Sequence, residues 1–265
     1  MKFDFDEDQQ FIRNDARRFL ADRCLMEDVR QHLTGDPLVI SPLWQEICEL
    51  GWPGAAIPEA YGGLGMGYLE LCVLAEELGR VVAPVPFSSS IYLAAEAILQ
   101  YGSEEQKQQY LPGLVSGEIV GTLAWSDAGE KAVAFEDGSI SGVKRPVAGG
   151  TVADIAVVSA LTSEDKHVLV LVELAETAAA NDKHLQRQTL ESADPSVRNA
   201  QITFDDCPAQ LLGNGGDSAG TLPQLLDRAA VLLAFEQIGG ADRCLELAVD
   251  YVKERKTFGR AVGSY

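Results

Sequence analysis

The feature that most limits what this chain can fold into is a change of pattern in its middle. Between about residues 119 and 207 short runs rich in Val, Ile and Thr appear: EIVGTLAW, GSISGV, ADIAVVSA, KHVLVLVEL and VRNAQITF. Gly, Asp and Ser separate them, which is the composition of turns. β-branched side chains suit a pleated, half-buried surface, so this block reads as a β domain, a barrel or a sandwich. Helical spacing holds on either side of it. The order helix, sheet, helix reads as α+β, with domains at 1–118, 119–207 and 208–265.

In the first part, Asp6 is placed to cap a helix opening with Glu7 and Asp8, acids suited to a helix N-terminus. Phe11, Ile12, Ala16, Phe19 and Leu20 then share a face. Arg13, Arg17 and Arg18 read as its solvated side. PLWQEICELG puts Trp44, Ile47 and Cys48 together and stops at Gly51. Gly62 and Gly63 shape a loop. YLELCVLAEELGRVV is apolar almost all round and reads as a buried helix. Ser103 and Gln106 form a capping box for SEEQKQQYL, and Pro112 is expected to break that helix.

The third part is one long helical run, from about Thr221 to Lys256, interrupted by Gly239 and Gly240. Each Gly costs about 1 kcal/mol relative to Ala inside a helix. The pair therefore signals a close backbone neighbour or a bend. A lone helix cannot bury its apolar face. Leu225, Leu226, Ala229, Leu232, Leu233 and Phe235 are expected to be exposed unless the first helices, another chain or a continuation of the protein covers them.

Composition narrows function more than fold. Forty acidic residues against 21 basic give a formal net charge of −19. That argues against gripping nucleic acid or an anionic membrane, since both call for a basic face. The cysteines (Cys24, Cys48, Cys72, Cys207 and Cys244) are scattered and odd in number, and the histidines (His32, His167 and His184) are isolated. Neither a disulfide framework nor a metal site is expected. The acidic start lacks the pattern of a leader, and no apolar run approaches the roughly 20 residues of a membrane span. The expectation is a cytoplasmic chain.

The tail ERKTFGRAVGSY is the most specific motif. Its plainest reading is a charged helix end and a Gly turn. Its functional reading is a ligand contact, with the planar fork of Arg255 for a pyrophosphate and the face of Phe258 for a ring. The tail resembles the signature of the acyl-CoA dehydrogenase family. FDFDEDQQFIRNDARRFLADR, LGWPGAAIPEAYGGLGMG and YGSEEQKQQYLPGLVSGEIVGTLAWSD resemble further stretches of that family, in the family's order.

The resemblance implies a helical N-terminal domain, a middle β domain and the start of a C-terminal helical bundle. It implies FAD-dependent α,β-desaturation of an acyl-CoA thioester, electrons leaving to an electron-transfer flavoprotein, and a homo- or hetero-oligomer. By the same resemblance GTLAWSDAG assigns Leu123, Trp125 and Ser126 to the flavin, GVKRPVAGGTVAD assigns Val147 and Ala148, and the tail assigns Arg255, Thr257 and Phe258 to the flavin of a partner subunit. The chain also departs from the pattern. The Gly-Ser-Asp expected after the flavin strand is missing, and Ala148 stands where a Thr hydroxyl is common. Ala229 and Ala230 occupy positions where some relatives carry a catalytic acid and a substrate-binding Arg. Asp227 and Arg228 read as solvated or capping. No catalytic base is found, and the chain reads as a truncation of the family's length. Three functions stay open: a dehydrogenase subunit or fragment, a non-catalytic flavin-binding partner, and a cofactor-free remnant of the fold.

Overall fold

The computed structural model describes residues 5–35, 41–174, 184–216 and 218–265. The reading of the chain's start falls partly on residues 1–4, outside the described residues. Helix α1 spans Glu7–Arg23 and opens with a capping box. The Asp6 carboxylate accepts from the Gln9 amide at 2.9 Å, and the Gln9 side chain accepts from the Asp6 amide at 3.1 Å. Ala16 and Leu20 are buried, with Ile12 and Phe19 packed beside them. Phe11, expected on that face, is 71% exposed. It lies one residue off the buried stripe of Gln9, Ala16 and Leu20, and one residue turns a helix by about 100°.

Helix α2 (Met26–Thr34) leads to α3 (Pro42–Glu49), which buries Trp44, Ile47 and Cys48. The helix gives way to Gly51 at φ +76°, the left-handed conformation that glycine tolerates. Helix α4 (Tyr68–Arg80) is buried along most of its length, and its Glu77 is 1% exposed. Arg17 donates to both Glu77 oxygens, at 2.9 and 2.7 Å, and Arg13 donates to Glu76 at 2.8 Å. These arginines are therefore not a solvated face, because a buried carboxylate calls for a cation. Arg18 alone keeps a surface pairing, with Asp15.

A π-helical stretch, Ser88–Ala95, runs into α5 (Glu96–Tyr101). Helix α6 (Glu104–Ser116) starts at the expected Ser103–Gln106 capping box. Pro112 does not break it; the helix continues to Ser116 and ends at Gly117, φ +77°. Tyr110, Leu111, Leu114 and Val115 are buried on both sides of the proline. Burying large side chains at about 1.5–3 kcal/mol each outweighs a helix-interior proline costing about 3 kcal/mol.

The middle is one curled mixed sheet of β1 (Gly121–Ala124), β2 (Ala134–Glu136), β3 (Ser139–Val147), β4 (Ile155–Thr162), β5 (His167–Glu173), β6 (Leu185–Thr189), β7 (Ala200–Pro208) and β8 (Gln210–Leu211). Its order is β6-β7-β3-β2-β4-β5-β8, with β1 parallel to β4. The five Val/Ile/Thr-rich runs supply β1, β3, β4, β5 and β7. Both faces of the central strands are buried, so these strands read as continuous apolar runs. Ile155, Val157, Leu169 and Leu171 join Leu123 in the core shared with the helices. Their neighbours Ala156, Val158, Val168 and Val170 turn to the sheet's own core with Val147, Ile202 and Phe204.

Helix α7 (Thr221–Glu254) then returns along the helical layer. Its Leu225, Ala229 and Leu232 are buried, and Leu226 and Phe235 pack beside them. The expectation that this face lies open is corrected for these residues, because helices of the first part cover it. Leu233 is exposed, and the open apolar stripe is instead Val231, Ile238 and Leu245. The glycine pair marks a close crossing. A Cβ on Gly239 would sit 1.8 Å from the Glu76 carbonyl oxygen, and one on Gly79 would sit 2.0 Å from that of Glu236. A two-stranded hairpin, β9 (Lys256–Thr257) and β10 (Arg260–Ala261), closes the chain. Among the described residues no helix is long and apolar enough to cross a membrane.

Candidate functional site

Strand β1 is fixed between sheet and helices. The Gly121 amide donates to Ser90 Oγ at 3.1 Å, and a Cβ on Gly121 would lie 2.5 Å from that of Ala94. Leu123 is consequently in the core, and its side chain faces no opening. Beyond β1 the chain leaves the sheet and Trp125 becomes 45% exposed. Trp125 borders a cavity of about 230 Å³ shared with Asp127, Ser159, His167, Leu222 and Pro223. Ser126, half-buried, accepts from the Arg145 amide at 2.8 Å through its carbonyl oxygen, which ties it to β3.

Beneath this segment lies a group that sequence reasoning missed. Lys144 is fully buried, and its Nζ donates to Asp127 at 2.7 Å, to Ser159 Oγ at 2.9 Å and to the Trp125 carbonyl at 3.4 Å. Burial lowers the Lys144 pKa, opposed by the hydrogen bond and charge of Asp127. The ammonium thus holds the Trp125 backbone in place. Counted from the buried Ile140, two-residue alternation points Lys144 inward, whereas the register shift between Lys144 and Val147 breaks the same count taken from Val147.

The second expected stretch lies at the end of β3. Val147 is buried in the sheet's core. The Ala148 carbonyl accepts the Thr122 hydroxyl at 2.6 Å, another partner that the sequence did not reveal. Gly149 follows at φ +68°, where a Cβ would meet Ser89 Oγ at 2.4 Å. The backbone here presses against the π-helical stretch.

Arg255, Thr257 and Phe258 occupy the terminal hairpin. Phe258 is 93% exposed at φ +52°, and Arg255 has no ion pair among the described residues. The hairpin is well braced: the Tyr265 hydroxyl donates to the Thr257 carbonyl at 2.6 Å, and Arg260 stacks over the Tyr265 ring at 3.9 Å. Leu222 and Pro223, at the start of α7, border the Trp125 cavity. The hairpin follows its other end, and a helix of 34 residues spans about 50 Å. One chain therefore does not bring Phe258 to Trp125.

Ala229 is buried at the face of α7 turned to the helices. Arg228 is exposed, as expected of a solvated residue, and it is also paired: it donates to Glu96 at 2.7 Å and to the Tyr68 hydroxyl at 3.2 Å, pinning α7 to α4 and α5. Glu236, unremarked in the sequence, reaches Tyr92 of the π-helical stretch. It continues the buried stripe of Leu225, Ala229, Leu232 and Gly239. An acid at an apolar position of that stripe was a readable signal.

A helical layer, a curled sheet and a long returning helix, with clefts where they meet, define an α+β protein. Comparison with known proteins makes this specific. Residues 6–118 match the model of the acyl-CoA dehydrogenase N-terminal domain, and residues 221–265 match that of the C-terminal domain. The isovaleryl-CoA dehydrogenase of Solanum tuberosum is 31% identical over 84% of this chain and 58% of that protein. The acryloyl-CoA reductase (NADH) of Anaerotignum propionicum is 29% identical over 100% of this chain and 71% of the reductase. The solved Tcur3481-Tcur3483 steroid ACAD variant shares 32% identity at a TM-score of 0.83, over 98% of this chain and 70% of its own. The ChsE4-ChsE5 complex from Mycobacterium tuberculosis shares 26% identity at a TM-score of 0.86, over 100% of this chain and 72% of the other. The chain belongs to the acyl-CoA dehydrogenase family.

Proposed function

We propose that this chain binds FAD at a site completed by a second subunit and serves the α,β-desaturation of an acyl-CoA thioester. The observation that carries this reading is the separation of two fitted surfaces. Trp125 offers an exposed ring beside a cavity. Phe258 and Arg255 offer an exposed ring and a guanidinium with no ion pair among the described residues, about 50 Å away along α7. Aromatic faces suit a flavin or adenine ring, and a guanidinium fork suits a pyrophosphate. The residues therefore fit FAD, provided that each surface meets its counterpart in another chain.

When bound, FAD supplies the hydride acceptor for the desaturation. This chain's part would be to hold the ring with Trp125, Ser126 and the Val147–Ala148 stretch, and to engage a partner's nucleotide with Arg255, Thr257 and Phe258. An electron-transfer flavoprotein would then take the electrons. A specific observation favours a second reading: Ala229 and Ala230 cannot remove a proton, and Ala229 is buried. On that reading the chain is the flavin-binding partner of a second, base-bearing subunit.

Visible absorption of the purified full chain after FAD addition separates these readings. A bound flavin spectrum bleached anaerobically by an acyl-CoA supports the dehydrogenase. Bound flavin that bleaches only when a second subunit is added supports the partner. Absence of any bound flavin overturns both and leaves a structural remnant.

A further inference from the structure

Beside the Gly79–Gly239 crossing lies a second cavity, of about 260 Å³, between α4, the π-helical stretch, α7 and the loop before β7. Its walls include Leu78, Val82, Val85 and Phe87, and among the described residues no basic side chain lines it; Arg198 and His32 line the smaller cavity next to it. Glu236 enters from α7. One carboxyl oxygen accepts the buried Tyr92 hydroxyl at 2.8 Å, and the other has no hydrogen-bond partner among the described residues. The facing titratable groups are Tyr92, Cys72 near it, and Asp194 across the cavity. Among the described residues this carboxyl is not half of an ion pair.

The cavity adjoins a smaller one. The two share Val85, Ser88, Ser196 and Val197, and the smaller one reaches Gly149, next to Ala148. A ligand whose reacting end lies by that turn has its far end in front of Glu236. We propose that Glu236, held by Tyr92, is a specificity-determining residue that receives a hydroxyl on the distal part of the acyl group. This rests on the acyl-CoA reading above. A hydroxyl suits the site because it donates to the carboxylate and accepts from the carboxylic acid, whereas a plain hydrocarbon end leaves the free oxygen desolvated and unpaired. The close crossing of α4 and α7 brings the carboxyl within reach of Tyr92, and the π-helical stretch presents that hydroxyl.

The test is equilibrium dialysis of the full chain, with FAD present, against octanoyl-CoA and 8-hydroxyoctanoyl-CoA, for wild type, Glu236→Leu, Glu236→Gln and Tyr92→Phe. Wild type is expected to bind the hydroxylated ester about tenfold more tightly than the plain one, the usual weight of one well-made hydrogen bond to such a group. Glu236→Leu should invert the preference, Glu236→Gln should keep part of it, and Tyr92→Phe should weaken it. A merely structural carboxyl would change both affinities alike and leave their ratio fixed. Equal binding of both esters by wild type, or an unchanged ratio in Glu236→Leu, overturns the proposal while sparing the acyl-CoA reading. Failure of wild type to bind either ester overturns that reading, and this inference with it. Glu236→Gln, nearly isosteric, keeps the test decisive if Glu236→Leu does not fold.

Discussion

Replacing Gly239 by Ala inserts a methyl group where the α4 and α7 backbones nearly touch. That Cβ would lie 1.8 Å from the Glu76 carbonyl oxygen and 3.1 Å from the Arg80 amide nitrogen. Neither atom belongs to a flexible side chain, so the helices must part by about 1.5 Å to restore ordinary contact. Leu78, Leu225 and Leu232 are buried in the helical core. Opening a gap of that size forfeits roughly half of the contact energy of each, about 1 kcal/mol apiece. Ala returns about 1 kcal/mol through helix propensity. The net loss is about 2 kcal/mol, a fall in Tm of about 4–8 °C. Gly240 is the internal control, since its Cβ would stand 3.3 Å from the Gly79 carbonyl oxygen. Gly240→Ala should stay within about 1 kcal/mol of wild type. Urea unfolding of the three proteins measures both. A Gly239→Ala chain as stable as wild type would refute the close crossing and the reason given for the glycine pair.

Burial pushes the Glu236 carboxyl up from 4.5 to about 7, with the Tyr92 hydrogen bond opposing the shift. A carboxyl whose folded pKa is raised contributes stability that is full below its unfolded pKa and is lost as pH rises through the folded one. Between about pH 4.5 and 7.5 wild type should thus lose about 3 kcal/mol relative to Glu236→Gln, and parallel unfolding profiles would count against this. Glu77→Ala leaves Arg13 and Arg17 without their buried carboxylate and should cost about 3 kcal/mol in urea unfolding, against under 1 kcal/mol for a surface pair. Phe258→Ala and Arg255→Ala should leave Tm within about 1 °C, because both side chains are exposed, yet weaken retention of FAD on gel filtration at least tenfold. A large fall in Tm would assign them to folding instead. Lys144→Met should loosen the Trp125 segment, seen as red-shifted tryptophan emission; an unchanged spectrum would separate Lys144 from that loop.

Much of the architecture was legible because it rests on local rules. Capping boxes at Asp6 and Ser103, the left-handed Gly51 and the strand runs of the middle domain are decided by residues within a few positions of one another. The glycine pair announced a close approach or a bend, and only the crossing with α4 decides between them. What failed was of another kind. Pro112 stays helical because Tyr110, Leu111, Leu114 and Val115 find partners distant in sequence. Arg13 and Arg17 turn inward because α4 brings them a buried glutamate some sixty residues on. Phe11 turns out because the buried stripe of α1 runs through Gln9 instead, which donates to Glu70 at 3.0 Å.

The candidate site divides along the same line. The sequence alone determined the residue types and their order: an aromatic after a strand, a glycine turn after another, and an arginine and phenylalanine after a long helix. It could not determine that Leu123 and Val147 point into two different cores, or that Lys144 lies under Trp125. Nor could it place Glu236 against Tyr92, or set the two ring-bearing surfaces at opposite ends of α7. Those are distances between segments far apart in the chain. Periodicity says which side of an element is apolar, but only the packing of one element on another decides what that side meets.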